Sequence, residues 1–201
     1  MITYLLYISE NYSFKVLRPL QEEILKRGDK AKWFIEGKNI NINYFKEDEI
    51  VLKNIQEVIK YNPDVVLVPG NFVPSFISGL KVEVFHGFMS DKRRKRDNKL
   101  YHLIIRDCFD LYCTHGPSTT VPFQNLAKQH KTFDVVETGY CQMDPYFNKK
   151  NNKPTKDRPI ILFSSTFSPR MTKAPALFET IKELSKNTKW LWQVTFHPKM
   201  D

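Results

Sequence analysis

Short apolar runs alternate along the chain with stretches of helical period, and that alternation predicts βαβ units wound around a parallel sheet. Residues 2–8 form the first run. A helix is expected to follow through Leu17, Leu20, Ile24 and Leu25, whose spacing keeps them on one face, with Pro19 in its first turn and Gly28 ending it. Residues 32–35 read as a second strand and 47–60 as a second helix carrying Ile50, Val51, Ile55, Val58 and Ile59. The third strand, 64–68, is Val-rich without alternation, which predicts burial on both faces. After the turn signal Pro69-Gly70-Asn71, residues 72–78 suggest a short irregular helix. A fourth strand at 82–85 runs straight into His86 and Gly87, and a fifth at 111–114 into His115 and Gly116. Pro117 then opens a helix through Phe123 and Leu126, and a sixth strand at 134–137 closes the set at Thr138 and Gly139.

Apolar residues give way to Asn, Lys, Pro and Asp just before a new strand-like run at 160–163, and such a stretch reads as a linker. The expected organisation is therefore one complete Rossmann-like, doubly wound parallel-sheet domain at 1–147, a linker at 148–158, and the beginning of a second α/β domain at 159–201. In that second unit 175–184 has helical period and 190–196 is strand-like, followed by His197 and Pro198. One βαβ unit cannot bury both faces of a sheet, so the second domain reads as unfinished.

Composition narrows the classes. The 201 residues are 41% apolar and 26% charged, with seven Gly and twelve Pro, which excludes collagen-like and disordered chains. Three Cys are too few and too odd in number for a secreted disulfide framework, which makes a reducing, cytoplasmic setting the expected one. No apolar run approaches the length of a membrane span, and residues 1–9 lack the basic lead-in of a signal peptide. The formal charge of +9 predicts an anionic partner: nucleic acid, a phospholipid surface, or a phosphorylated molecule or polymer.

The recurring chemical event is a His directly after a strand, at His86, His115 and His197. Ligands of open α/β sheets bind beyond the carboxyl ends of the strands, where an imidazole can move a proton. Each is equally readable as a hydrogen-bonded loop residue. A glycine follows His86 and His115, which suggests a sharp turn or the close approach of a ligand. The run Lys92-Arg93-Arg94-Lys95-Arg96 is the densest charge in the chain; it reads either as a solvated loop or as a holder of phosphate or anionic lipid. No Gly-x-Gly-x-x-Gly, Walker, Gly-x-Ser-x-Gly or His-Glu-x-x-His pattern occurs, and Cys108, Cys113 and Cys141 lack zinc-site spacing, so neither a metal nor a bound cofactor is expected. The hydroxyls at Ser164, Ser165 and Thr166 suit phosphate oxygens or a capped turn.

Taken in order, Val-Phe-His-Gly at 84–87, Glu-Thr-Gly-Tyr-Cys-Gln-Met-Asp at 137–144, Ile-Leu-Phe-Ser-Ser-Thr-Phe at 161–167 and Thr-Phe-His-Pro at 195–198 resemble the CDP-glycerol glycerophosphotransferase family. Those enzymes build teichoic acids and related capsular polymers. Phe85 stands where the family has Trp, Cys141-Gln142 where it has Pro-Arg, and Ser164 to Phe167 follow its Pro-Thr-Trp turn loosely. The resemblance implies a GT-B fold, with an acceptor held by the first domain and a CDP- or UDP-activated donor by the second. It implies His86 as general base, with Gly87, Lys92, Arg93, Arg94 and Asp144 on the acceptor side and Ser165, Thr166 and His197 on donor phosphate; His115, from its place after a strand, is a further acceptor-side candidate. The acceptor would be a polyol-phosphate or polysaccharide, and the protein would work at the inner face of the membrane. The family's Asp and Ser-rich nucleotide loop has no counterpart within these residues, which predicts weak or absent donor binding by the chain alone. Two other functions compete: a nucleotide-sugar epimerase of the same fold, and a non-catalytic basic module binding anionic membrane or, less readily, nucleic acid.

Overall fold

The computed structural model describes residues 1–90, 92–147, 157–166, 168, 172–186 and 189–196. The chain divides into two compact units, Met1–Lys149 and Lys150–Asp201. The first is built on a seven-stranded, wholly parallel sheet. In chain order its elements are β1 (Thr3–Ile8), α1 (Ser13–Lys26), β2 (Lys30–Ile35), β3 (Val51–Leu52), α2 (Ile55–Tyr61), β4 (Val65–Val68), β5 (Leu80–Glu83), β6 (Leu111–Thr114), α3 (Pro117–His130), β7 (Asp134–Glu137) and the single turn α4 (Asp144–Phe147). The spatial order β3-β2-β1-β4-β5-β6-β7 reverses direction between β1 and β4, and such a reversal opens a crevice at the carboxyl ends of those two strands.

Both faces of the sheet are covered, so the central strands are apolar throughout. Leu5 and Tyr7 of β1 point into one core with Val66, Val68, Tyr112 and Phe123, while Leu6 and Ile8 point into the other with Trp33, Val82 and Val84. The second core is roofed by α1, whose Phe14, Val16, Leu17 and Ile24 are buried. Gly28 ends that helix as its sequence predicts: at φ +82° it lets its own N–H reach the Leu25 carbonyl and that of Asp29 reach Ile24.

Three expectations are corrected. Helix α1 begins at Ser13, so Pro19 lies inside it rather than in its first turn. The bond that Pro19 cannot donate would have gone to Lys15, which is exposed and leaves its carbonyl to water. The segment 47–60 is not one helix but β3, pairing with Trp33 and Phe34, followed by the shorter α2. Asn54 caps α2 by accepting from the Glu57 N–H at 2.9 Å while the Glu57 carboxylate accepts from the Lys53 N–H, a reciprocal start signal that places the boundary. Residues 72–78 form turns without helix.

The second unit consists, among the described residues, of β8 (Ile160–Ser164), α5 (Ala174–Ser185) and β9 (Leu191–Thr195), a βαβ unit in which Ile160 pairs with Leu191 and Ser164 with Thr195. Leu162, Phe178, Val194 and Phe196 are exposed on it, as a two-stranded sheet has too little surface to cover them. Much of the 148–158 stretch expected to be a linker lies outside the described residues.

Candidate functional site

The site forms where the loops after β1, β4, β5 and β7 converge. Strand β5 stops at Glu83, and the chain reverses at Phe85, which has φ +30°, a conformation side-chain-bearing residues rarely adopt. Packing holds it there: the Phe85 ring is buried, stacked on His102 at 4.8 Å and edge-on to Phe123 at 5.2 Å and His115 at 5.8 Å. With Phe85 turned into the core, His86 is turned out of it.

Once outside, His86 is fixed from three sides. Its Nδ1 lies 2.8 Å from the Pro69 carbonyl. A carbonyl can only accept, so Nδ1 carries the proton and, in the neutral ring, Nε2 is the basic nitrogen. The Tyr12 ring stacks on the imidazole with centroids 4.2 Å apart and planes 23° from parallel. The Tyr140 hydroxyl donates to the His86 carbonyl at 2.8 Å and has the Gln142 side-chain oxygen 2.7 Å away. Pro69 follows β4 and Tyr12 follows β1, so these contacts draw His86 from β5 toward the crevice at the strand-order reversal.

Burial sets the state of the groups behind it. Glu83 sits in register between Val68 and Tyr112, and desolvation pushes its carboxyl up to about 8, opposed by the Arg106 guanidinium; at neutral pH it holds its proton. Burial, with His115 and His86 nearby, holds His102 down at about 4. His115 is lowered by burial and by His86, with the nearby Phe85 backbone pulling the other way. Neither ring nitrogen of His115 has a hydrogen-bond partner among the described residues, and its ring lies 4.4 Å from that of Tyr140. His115 and His102 are thus neutral wall residues, and His86 is the imidazole that reaches the crevice.

The other expected residues are dispersed. The basic run folds back as a hairpin: Arg93 bridges Leu100, Arg94 pairs with Asp97, and the Lys92 ammonium lies 4.9 Å over the Tyr101 ring. Arg93, Arg94 and Arg96 line a groove of about 690 Å³ with Leu126 and His130 of α3. Leu126 is ten residues beyond Gly116, roughly 15 Å along the helix from the strand ends at 1.5 Å per residue. Arg93, Arg94 and Arg96 therefore lie along the flank of α3. Asp144 is exposed at the start of α4. Ser165 and Thr166 follow β8 in the second unit, with the Ser165 N–H donating to Thr195, and His197 lies outside the described residues. The three cysteines are free and half-buried, Cys141 donating to the Val16 carbonyl. No cluster of three or more His, Cys, Asp or Glu side chains suited to a metal occurs among the described residues. No described helix is long and apolar enough to cross a membrane.

The glycines after the histidines do not make the turns. Gly87 has no positive φ, Gly116 is extended at φ 167°, and a methyl group added to either meets open space. Gly87→Ala is accordingly expected to change folding stability by less than about 0.5 kcal/mol in urea titrations, whereas Gly116→Ala, at the N-cap of α3, is expected to cost about 1 kcal/mol because alanine caps poorly. A loss well beyond these values would show the backbone reading of these positions to be mistaken.

Tyr12, Pro69 and Tyr140 escaped sequence reasoning because each belongs to a different βα loop, and only the strand order brings them to His86. Phe88, in the loop of His86 itself, carries no local signal of its ring contacts.

No protein-family model matches the chain, and no curated protein sequence does. Among solved structures, one from Listeria monocytogenes provisionally described as a UDP-N-acetylglucosamine 2-epimerase superposes with a TM-score of 0.61 over 99% of this chain, at 15% identity. The chain spans 64% of the length of that protein. A glycosyltransferase from Rickettsia africae ESF-5 superposes over 98% of this chain and 68% of its own, at 16% identity and a TM-score of 0.48. The first likeness fits the seven-stranded parallel sheet to a Rossmann-like domain of GT-B type; the sequence pattern predicts the Rossmann-like class and the family resemblance implies the GT-B type.

Proposed function

We propose that the chain is the acceptor-side part of a transferase that moves a glycosyl or glycerophosphoryl unit from a CDP- or UDP-activated donor to a hydroxyl of a cell-surface polymer, in teichoic acid or capsule synthesis. The observation that carries this reading is the His86–Pro69 hydrogen bond, which leaves Nε2 of an exposed imidazole as a base at the mouth of the crevice. An acceptor hydroxyl approaching Nε2 gives up its proton there while its oxygen bonds to the anomeric carbon or phosphorus; the nucleotide departs with the electron pair of the broken bond. The Pro69 carbonyl and the face of Tyr12 both favour the imidazolium that results. The donor would be held by the second unit, with Ser165, Thr166 and His197 as its phosphate contacts, and the basic hairpin would hold the protein at anionic membrane. Nucleotide release from CDP-glycerol and a panel of UDP-sugars, with and without polyol-phosphate or polysaccharide acceptors, tests the reading on the full-length product of the reading frame. Acceptor-dependent release supports it, and its absence with every donor rejects it.

A second reading is a nucleotide-sugar epimerase, favoured by the likeness in fold to the Listeria structure. It predicts interconversion of UDP-N-acetylhexosamines without acceptor, visible by NMR of the sugar ring.

A further inference from the structure

We propose that Phe88 is a stacking platform for the acceptor, and that the group presented to His86 is a pyranose ring rather than an open-chain polyol phosphate. This rests on the transfer reading above and specifies its acceptor.

Phe88 lies two residues beyond His86 and is 68% exposed, yet its ring is held in place. It meets Tyr140 edge-on at 5.1 Å and 71° and His115 at 5.4 Å and 77°. Tyr140 is the residue whose hydroxyl donates to the His86 main-chain carbonyl, so one side chain touches both the Phe88 ring and the backbone of His86. Leaving a large apolar ring in water at the edge of a crevice gains nothing for folding. Fixing it between two other rings makes it a preorganised contact.

The chemistry of such a surface selects its ligand. A pyranose carries C–H bonds on its face and hydroxyls around its rim. Laid on Phe88, it covers the ring with the first and directs the second sideways, where a rim hydroxyl comes within reach of His86, two residues away in the chain. An open-chain polyol phosphate has no flat face, and its charge calls for cations. The densest run of cations in the chain is instead folded along α3, where Arg93, Arg94 and Arg96 line their own groove. The group next to the base must also be the one bearing the attacking hydroxyl, which assigns Phe88 to the acceptor and not to the base of the donor nucleotide.

Saturation-transfer NMR without donor, using methyl glycosides of glucose, N-acetylglucosamine, mannose and galactose as probes, tests this independently of turnover. At least one sugar is expected to bind saturably with transfer strongest at its axial C–H protons. Phe88→Ala is expected to weaken that binding about tenfold, and Phe88→Trp to retain it, since the larger ring keeps the stacking surface. Glycerol 3-phosphate and CMP are expected not to displace the sugar. A saturable response from none of the four sugars, equal binding by Phe88→Ala, or displacement by either competitor overturns the proposal. Transfer to polyol phosphate that is indifferent to Phe88 would leave the transferase reading standing and remove this one.

Discussion

Replacing His86 by Ala is expected to lower turnover by about 10²- to 10⁴-fold while leaving the melting temperature close to that of the wild type. The two halves of that expectation have separate origins. His86 is exposed and contributes to neither apolar core; its ring makes one hydrogen bond, to Pro69, and one stack, on Tyr12. Removing it costs the fold little. In the proposed mechanism turnover depends on Nε2 taking a proton as the acceptor oxygen forms its bond, and alanine offers nothing in its place. Because the side chain vacates a space open to solvent, added imidazole is expected to restore part of the lost rate in the His86→Ala variant but to leave the wild type unchanged. Donor turnover with and without imidazole, alongside a thermal melt, reads all of this. Unchanged turnover would remove His86 from the chemistry, and a collapsed melt would make it a structural residue.

Glu83→Gln is expected to raise stability at high pH and to leave it nearly unchanged near pH 5. The Glu83 carboxyl is buried between Val68 and Tyr112 and keeps its proton up to about pH 8, whereas in the unfolded chain it ionises near the ordinary value of 4.5. Between those two values the folded state binds more protons than the unfolded one, so stability falls as pH rises through the window. Above about pH 8 the accumulated loss is on the order of a few kcal/mol, since each unit of displacement is worth about 1.4 kcal/mol. Glutamine carries no ionisable proton and escapes that loss. The groups facing Glu83 set how far the effect extends: Arg106 favours the carboxylate, while Tyr12, Tyr112 and Cys108, raised first by burial and further by a charged Glu83, are neutral through the same range. Melts of both proteins from pH 5 to 9 should diverge steadily upward from pH 5. Parallel curves would mean that Arg106 already holds Glu83 ionised in the folded protein.

Glu83 and His86 are near neighbours in the chain whose side chains have opposite fates. Glu83 is sealed into the core before the reversal at Phe85, and His86 is expelled after it. A single strained residue thus separates a carboxyl sealed in the core from an imidazole exposed at the crevice. That strain is sustained by the aromatic packing of Phe85 against His102, Phe123 and His115.

The sequence by itself determined the architecture. The periods of apolar residues identify the strands, the Gly28 stop and the Pro117 start of α3, because burial on a sheet and on a helix face imposes repeats that a linear reading detects. It misread 47–60, where Ile50 and Val51 satisfy a helical stripe as readily as an edge strand, and only the need to pair with Trp33 and Phe34 decides between them. The local pattern marked three histidines beyond predicted strands, His86, His115 and His197, and only the family resemblance set His86 apart from the other two. What surrounds His86 was decided by tertiary structure alone. Pro69 and Tyr12 reach it because β4 and β1 lie side by side at the strand-order reversal, and Tyr140 reaches it from beyond β7. The basic run, adjacent to His86 in sequence, is carried by its hairpin onto the flank of α3. Sequence records the chemistry each residue carries and the period with which it is buried. Which loops share a crevice depends on strand order, and that is settled by long-range pairing that no local pattern encodes.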